Sequence, residues 1–253
     1  MKYLKYLRTL LMLPVALLLM SHAVWMESSY KGIPGDDVTF DLFFGEYEKD
    51  MREKGDKING MADFKAVYIH ENKKAVSVTL NKTNNSYQGK FVAKEAGFYQ
   101  ILAINDEREV QDWTKHGLTI LRPVEFQRSS FTAFSEKKTE KVDVQPYFFF
   151  DIIPDYTLNH KGEVCSIFEK GKVITGKVYL DKKPISEVEI KVYTPAKNIL
   201  SFSAGDGGAF SFKADKDGTY LITSTINNNE AGSFKGKDYN LTRYHISTTV
   251  NVE

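Results

Sequence analysis

The amino-acid sequence predicts an all-β protein, with two antiparallel β-sandwich domains that follow an N-terminal signal peptide. The first observation is a period of two residues, in which apolar and polar side chains alternate along short runs such as 38–44 and 188–193. The second is the presence of turn-forming glycines between such runs, Gly97 and Gly218 among them. The third is that no long segment shows the 3.6-residue period of an amphipathic helix. Short strands separated by turns in this way are typical of small sandwiches.

The beginning of the chain has the order of a secretory signal peptide. Lys2, Lys5 and Arg8 give a positive start, and the apolar run 10–20 follows, broken only by Pro14. A membrane-spanning helix needs roughly 20 apolar residues, and this run is shorter. No integral membrane segment is therefore expected in the mature chain.

Two cleavage sites fit the residues after the apolar run. The preference for small residues around the cut favours a signal peptide of residues 1–23, and a signal peptide of residues 1–21 is the alternative. Cys165 is the single cysteine, so no internal disulfide can form. Small secreted eukaryotic domains usually contain several disulfides. We therefore expect a bacterial protein of the periplasm or cell surface.

The alternating runs fall into two groups. We predict an N-terminal β-sandwich over residues 24–125, a connecting segment over 126–162 and a C-terminal β-sandwich over 163–253. The connecting segment holds a charged stretch and an apolar stretch, which predict a polar loop followed by a strand.

Alternation also predicts which side chains form the cores. Phe40 and Leu42 are expected in the first core and Ile190 in the second, because each is the apolar member of its run. Cys165 lies in an apolar-flanked stretch and is expected to be a small buried residue. In residues 206–208, Asp-Gly-Gly predicts a hairpin turn.

Charge and motif content argue against nucleic-acid binding and against catalysis. Lys and Arg number 34 and Asp and Glu number 33, so their charges nearly cancel and no basic surface is indicated. The sequence contains no nucleophile elbow, phosphate-binding loop or zinc-protease helix motif. We expect a protein without enzymatic activity.

Five histidines are the remaining candidates for chemistry, because imidazole commonly binds nickel, cobalt, copper and zinc. They lie far apart in the sequence, so a site has to be assembled by the fold. If the signal peptide ends at Ser21, His22 offers its α-amino group and its ring to one ion without closing a loop. His116 lies in the polar loop 112–117. Alternation along the last strand predicts that His245 faces outward.

The opening residues 22–27, His-Ala-Val-Trp-Met-Glu, resemble the start of the NikM-like family. These are exported bacterial proteins of largely unknown function that are associated with nickel or cobalt uptake. The Ala-Gly-Phe-Tyr of 96–99 and the apolar segment 150–154 also resemble that family. Its C-terminal module, similar to transthyretin-like and carboxypeptidase-regulatory folds, resembles residues 183–220. The resemblance covers nearly all of the mature chain and implies immunoglobulin-like and transthyretin-like sandwiches.

The resemblance implies a periplasmic accessory protein that binds nickel or cobalt, with copper a weaker candidate, and that works with a membrane metal-uptake transporter. The family's first histidine corresponds to His22. Family members commonly have a histidine after the strand-end glycine, whereas this chain has Glu46, a harder ligand. The predicted metal ligands are His22, Glu46 and His116.

Two other functions remain open at this point. One is a structural or interaction module that binds surface polymers or proteins without metal. The other is a copper oxidase, which would need a second histidine beside His22. Metal analysis of the mature protein separates the leading hypothesis from the interaction module, and oxygen reduction by the copper-loaded protein tests the oxidase.

Overall fold

The computed structural model describes residues 22–71, 73–136, 142–158 and 162–253, and β-strands dominate in these ranges. The predicted all-β sandwich fold is confirmed. Nearly all of the predicted signal peptide lies outside the described residues. Within the described residues, no helix has the length and apolarity needed to cross a bilayer.

The strands of the N-terminal half are β1 (Ala23–Ser28), β2 (Lys31–Gly32), β3 (Asp37–Glu46), β4 (Met51–Arg52), β5 (Lys65–His70), β6 (Val76–Val78), β7 (Leu80–Lys82), β8 (Tyr87–Val92), β9 (Gly97–Asn105), β10 (Gln111–Asp112) and β11 (Ile120–Ala133).

The strands that follow are β12 (Phe150–Pro154), β13 (Thr157–Leu158), β14 (Val164–Cys165), β15 (Ile167–Phe168), β16 (Val173–Leu180), β17 (Lys183–Pro184), β18 (Glu189–Tyr193), β19 (Ile199–Ser203), β20 (Ala209–Lys213), β21 (Gly218–Asn228), β22 (Gly232–Phe234), β23 (Lys237–Tyr239) and β24 (Leu241–Val252). Short 3₁₀ helices occur at Tyr47–Lys49, Gly55–Met61, Thr114–His116 and Asp206–Gly208.

Three sheets form the body of the protein. The central sheet has the order β19-β18-β21-β24-β11-β9-β5-β6. The N-terminal sheet has the order β1-β3-β8-β7, and the C-terminal sheet joins β12, β16, β17 and β20. Ile101 of β9 packs in the core beneath the N-terminal sheet, whereas its neighbour Leu102 packs in the core beneath the C-terminal sheet. Since adjacent residues of a strand point to opposite faces, the outer sheets cover opposite faces of the central sheet.

The strands β11 and β24 join the two halves. They run parallel to each other over residues 121–128 and 241–248, and β11 then pairs antiparallel with β9 over 129–133. The end of the predicted first domain, residue 125, falls inside β11, and so does the start of the predicted connecting segment 126–162. A long strand therefore belongs to both predicted units, and one sheet supplies a wall to each sandwich.

The core predictions are confirmed. Phe40, Leu42 and Ile190 are all fully buried, and Cys165 is a buried free thiol. The three apolar side chains lie where the two-residue alternation placed them, which shows that the inward face of β3 and of β18 was identified correctly.

The same turn contact occurs once in each half. The Tyr99 hydroxyl donates to the carbonyl of Glu95 at 2.8 Å, and the Tyr220 hydroxyl donates to the carbonyl of Lys216 at 2.9 Å. Each hydroxyl also accepts from the backbone N–H of that same residue. This is the tyrosine corner of Greek-key sandwiches. The shared Gly-x-Tyr spacing marks the start of an equivalent long strand, β9 or β21.

Two local predictions are wrong. The turn at Asp206–Gly208 is not a hairpin, because it connects β19 of the central sheet with β20 of the C-terminal sheet. Glycine there permits the positive φ of the turn but carries no information about which strands pair. The outward face of β24 is also covered: Ser247 and Thr249 are buried, because β1 lies across them.

Candidate functional site

His22 lies just before β1, between two carboxylates. Its Nε2–H donates to Oε1 of Glu53 at 3.2 Å, and its Nδ1 is 3.9 Å from Oε1 of Glu46. The ring also packs beside Phe44, with ring centroids 5.4 Å apart. We call His22, Glu46 and Glu53 the His22 site. The structure thus brings together two of the three predicted ligands, and it adds a carboxylate that sequence reasoning missed.

The end of β3 and the short β4 position both carboxylates. Gly45 pairs with Arg52, and a side chain on Gly45 would meet the Met51 carbonyl, so the tight return requires glycine here. Asp50 adopts a left-handed conformation that completes the turn. The backbone N–H of Glu53 then bonds the Phe44 carbonyl at 2.8 Å. Because of this return, Glu46 and Glu53 approach the same imidazole although seven positions separate them.

Strand β1 is fixed in place by the central sheet. The Ser247 hydroxyl donates to the Val24 carbonyl at 3.0 Å, and the Thr249 hydroxyl donates to the Met26 carbonyl at 2.6 Å. These bonds explain why polar side chains of β24 are buried, since they satisfy the backbone of a strand packed on that face. The anchored strand holds His22 at the rim of the N-terminal sheet.

Lysines already accompany both carboxylates. Lys49 forms an ion pair with Glu46, and Lys57 bonds Glu53 at 2.8 Å. The hydrogen bond from Lys57, followed by the one from His22, lowers the pKa of Glu53. Both lysine side chains are largely exposed. The carboxylates are only 12% and 14% exposed, so they need a positive charge beside them, and a divalent cation that displaces the solvated ammonium groups supplies it.

The other histidines have different surroundings. His70 is buried, stacks on Tyr99 and bonds the Ala96 carbonyl at 2.9 Å, which is a structural role. His116 ends a 3₁₀ helix, but its side chain lies outside the described part of the molecule. His160 is likewise outside it. The predicted ligand His116 therefore remains a prediction.

His245 was expected to face outward and instead is partly buried among polar side chains of β21 and β24. Its Nδ1 is 2.8 Å from the Thr225 hydroxyl, and its Nε2 is 3.2 Å from the Ser247 hydroxyl. Burial, and secondarily the positive charge of Arg243, lowers its pKa to about 4. The ring is therefore neutral at pH 7, and both of its nitrogens already have partners.

The imidazole and carboxylates of the His22 site are groups that bind metal ions, but they do not form a complete coordination shell. In the described residues, no group of three or more His, Cys, Asp and Glu side chains is arranged to hold an ion. The reason lies in the geometry of His22: its two nitrogens face different carboxylates. A metal bound at Nδ1 would meet Glu46, and Glu53 would accept the Nε2–H. This second contact is the arrangement that orients a metal-bound histidine.

Comparisons with known proteins give no family. No protein-family model matches the chain, and no curated protein matches it. Among solved structures, the chain is similar to a marsupial T cell receptor, with 10% identity over 90% of this chain and 74% of that one, at a TM-score of 0.24. It is also similar to the BSP domain of a biofilm-associated protein, with 12% identity over 90% of this chain and 29% of that one, at a TM-score of 0.26.

Proposed function

We propose that the protein is an exported accessory of metal uptake, which binds a divalent transition metal, nickel or cobalt, at the His22 site. The observation that carries the proposal is the placement of the His22 ring, with Nε2–H bonded to Glu53 and Nδ1 facing Glu46. The bond to Glu53 fixes the tautomer and leaves the Nδ1 lone pair directed toward a carboxylate. A cation between those two groups satisfies both.

The export step completes the site. In a chain cleaved after Ser21, the α-amino group of His22 lies next to Nδ1, and the two nitrogens chelate one ion. Glu46 then supplies an oxygen ligand, and water or His116 fills the remaining positions. Two nitrogens with one carboxylate suit nickel and cobalt. The chelate requires cleavage after Ser21, since cleavage after Ala23 would remove His22.

The proposed location follows from the predicted signal peptide at the N-terminus. A signal peptide delivers the chain to the periplasm or cell surface, and a membrane metal-uptake transporter is the proposed partner. The proposed role is binding and delivery without catalysis.

Titration calorimetry of nickel, cobalt and copper into metal-free protein, whose N-terminus has been sequenced, tests the proposal. We expect His22→Ala to abolish most binding and Glu46→Gln to weaken it. Glu53→Gln should cost roughly 10–100-fold in affinity, the usual effect of removing a carboxylate that orients a ligand. Asp50→Asn is the matched control, because it removes a carboxylate from the same turn that pairs with Arg52 rather than His22. Equal affinity of wild type and His22→Ala would overturn the proposal.

An interaction module is the second candidate function. It is favoured by β19, the edge strand of the central sheet, where Ile199 and Leu200 are 48% and 37% exposed. An exposed edge with apolar side chains can pair with another chain. If the mature protein starts at Val24 and binds no metal, this candidate takes precedence.

A further inference from the structure

A second polar cluster surrounds Arg243, near the start of β24. Its guanidinium carbon lies over the Trp113 ring, 5.6 Å from the centroid. Arg243 pairs in register with Pro123 of β11, and Glu125 follows two positions later, opposite His245. We call Arg243, Trp113 and Glu125 the Arg243 site.

Arg243 differs from the other arginines in the described ranges. Each of the other four donates a side-chain hydrogen bond: Arg52 to Glu27, Arg108 to Glu125, Arg122 to the Asp106 carbonyl and Arg128 to Asp151. Among the described residues, Arg243 has neither a hydrogen-bond acceptor nor an ion-pair partner within bonding distance. It is nevertheless partly buried, and this burial lowers its pKa despite the nearby charge of Glu125.

The neighbouring carboxylate cannot neutralise both guanidiniums. Oε1 of Glu125 accepts from Arg108 at 2.7 Å, while Oε2 is buried and has no hydrogen-bond partner. Gln127, two positions further along β11 and in register with Ser247, is also fully buried, and neither its amide oxygen nor its amide nitrogen has a partner. Two cations face one anion here. Buried polar atoms almost always have a hydrogen-bond partner, so the free Oε2 of Glu125 near the unpaired Arg243 marks a place where a polar group of a ligand can bind.

The loop that carries Trp113 is held firmly. The Trp113 N–H bonds the Thr119 carbonyl at 3.2 Å, and Asp112 accepts from both the backbone and the hydroxyl of Thr114. At the far end of the loop, the side-chain amide of Asn240, the residue before β24, donates to the Thr119 hydroxyl at 2.6 Å. The backbone that carries the indole is therefore fixed beside Arg243, whose guanidinium lies over the ring.

We propose that the Arg243 site binds a small oxyanion, of which an organic carboxylate is the best match. The guanidinium of Arg243 would donate two parallel hydrogen bonds to the two oxygens of the ligand, the geometry in which arginine recognises carboxylate and phosphate. Trp113 excludes water from one side. A donor group on the ligand would bond the unpartnered Oε2 of Glu125. This proposal does not depend on metal binding at His22.

The test is calorimetric titration of sodium glycolate, a carboxylate that also carries a hydroxyl donor, and, separately, inorganic phosphate into the full-length mature protein at constant ionic strength without added metal. We expect saturable binding of glycolate, and phosphate binding through the same residue would assign a tetrahedral oxyanion instead. Arg243→Met should weaken binding roughly tenfold or more. Arg243→Lys should restore part of it, since it keeps the charge but not the planar pair of donors.

Arg52→Met is the matched control. Arg52 also lies over an aromatic ring, 4.0 Å from the Phe43 centroid, but its guanidinium is already paired with Glu27 at 3.0 Å. Its loss should leave oxyanion affinity unchanged. Circular dichroism of each variant establishes that it is folded. Absence of saturable binding of both anions by the wild type, or equal binding by Arg243→Met, would overturn the proposal.

Discussion

At the scale of single residues, the surroundings of a side chain decide its chemistry more than its type does. His22 lies just before β1, and His245 lies within β24. His22 faces two carboxylates at the rim, whereas His245 is enclosed by two hydroxyls and lies beside Arg243. The first arrangement favours a cation, and the second keeps the ring neutral.

The lowered pKa of His245 predicts a pH dependence of stability. Its pKa is about 4 in the folded protein and about 6.5 when unperturbed. Between these values the unfolded chain binds more protons, so the free energy of unfolding falls as the pH falls, by roughly 2–3 kcal/mol. The carboxyl group of Glu125, whose pKa is raised by burial, acts in the opposite direction. Urea unfolding at pH 7, 5.5 and 4.5 measures the net slope.

His245→Gln isolates this contribution, because Glu125 and Arg243 are kept. The variant should show a smaller loss of unfolding free energy on acidification than the wild type. An identical slope in both proteins would show that His245 titrates normally in the folded state.

Sequence reasoning could identify some site residues and not others. His22 stands out by its position at the cleavage zone, and Glu46 by following the strand-end glycine. Glu53 lies within a charged stretch that has no distinguishing pattern. Its approach to His22 depends on the backbone return at Gly45 and Asp50, and alternation does not encode that return.

At the scale of elements, a buried ion pair connects strands of the two halves. Arg128 of β11 bonds both carboxylate oxygens of Asp151 of β12, at 3.0 and 2.6 Å, and also bonds Gln100 of β9 at 2.6 Å. Both charged side chains are fully buried. The backbone N–H groups of Tyr147 and Phe148 complete the partners of Asp151.

Asp151→Asn should therefore be strongly destabilising, because it leaves a buried guanidinium without its counter-charge. The expected loss is roughly 3–5 kcal/mol of unfolding free energy, measured by urea titration. Asp215→Asn is the control, since it breaks an exposed pair with Lys213 and should cost less than about 1 kcal/mol. Similar losses in both variants would contradict this account of the buried pair.

Alternation predicted which faces of strands are buried but not which strands pair. The inward positions of β3 and β18 follow directly from the period of two. The parallel pairing of β11 with β24 joins residues about 120 positions apart, and no local pattern specifies it. The buried hydroxyls of β24 were misassigned for a related reason: a second layer covers their face, and a polar side is read as solvent-exposed when only one sheet is considered.

At the scale of the whole molecule, the two sandwiches share one continuous central sheet. Each sandwich uses part of the central sheet as a wall, and β11 contributes to both. Separating the two sandwiches would expose an edge of β24 along eight paired residues. This architecture favours a single cooperative unit over two domains joined by a linker.

The protein should therefore unfold in one transition. Tryptophan fluorescence reports the surroundings of Trp25, which packs with Leu221 of β21, and of Trp113, which lies under Arg243 of β24, while far-ultraviolet circular dichroism reports strands of both halves. We expect the two urea curves to coincide. Separate midpoints would show that the sandwiches unfold independently, despite the shared sheet.

Metal binding at His22 is the central functional claim, and anomalous X-ray diffraction tests it most directly. Crystals of mature protein that begins at His22 are grown with nickel and measured on both sides of the nickel absorption edge. The account predicts an anomalous peak about 2.1 Å from Nδ1 of His22, within reach of Glu46 and absent from His22→Ala crystals. A fully loaded protein with no peak at His22, or a mature chain that begins at Val24, would contradict it.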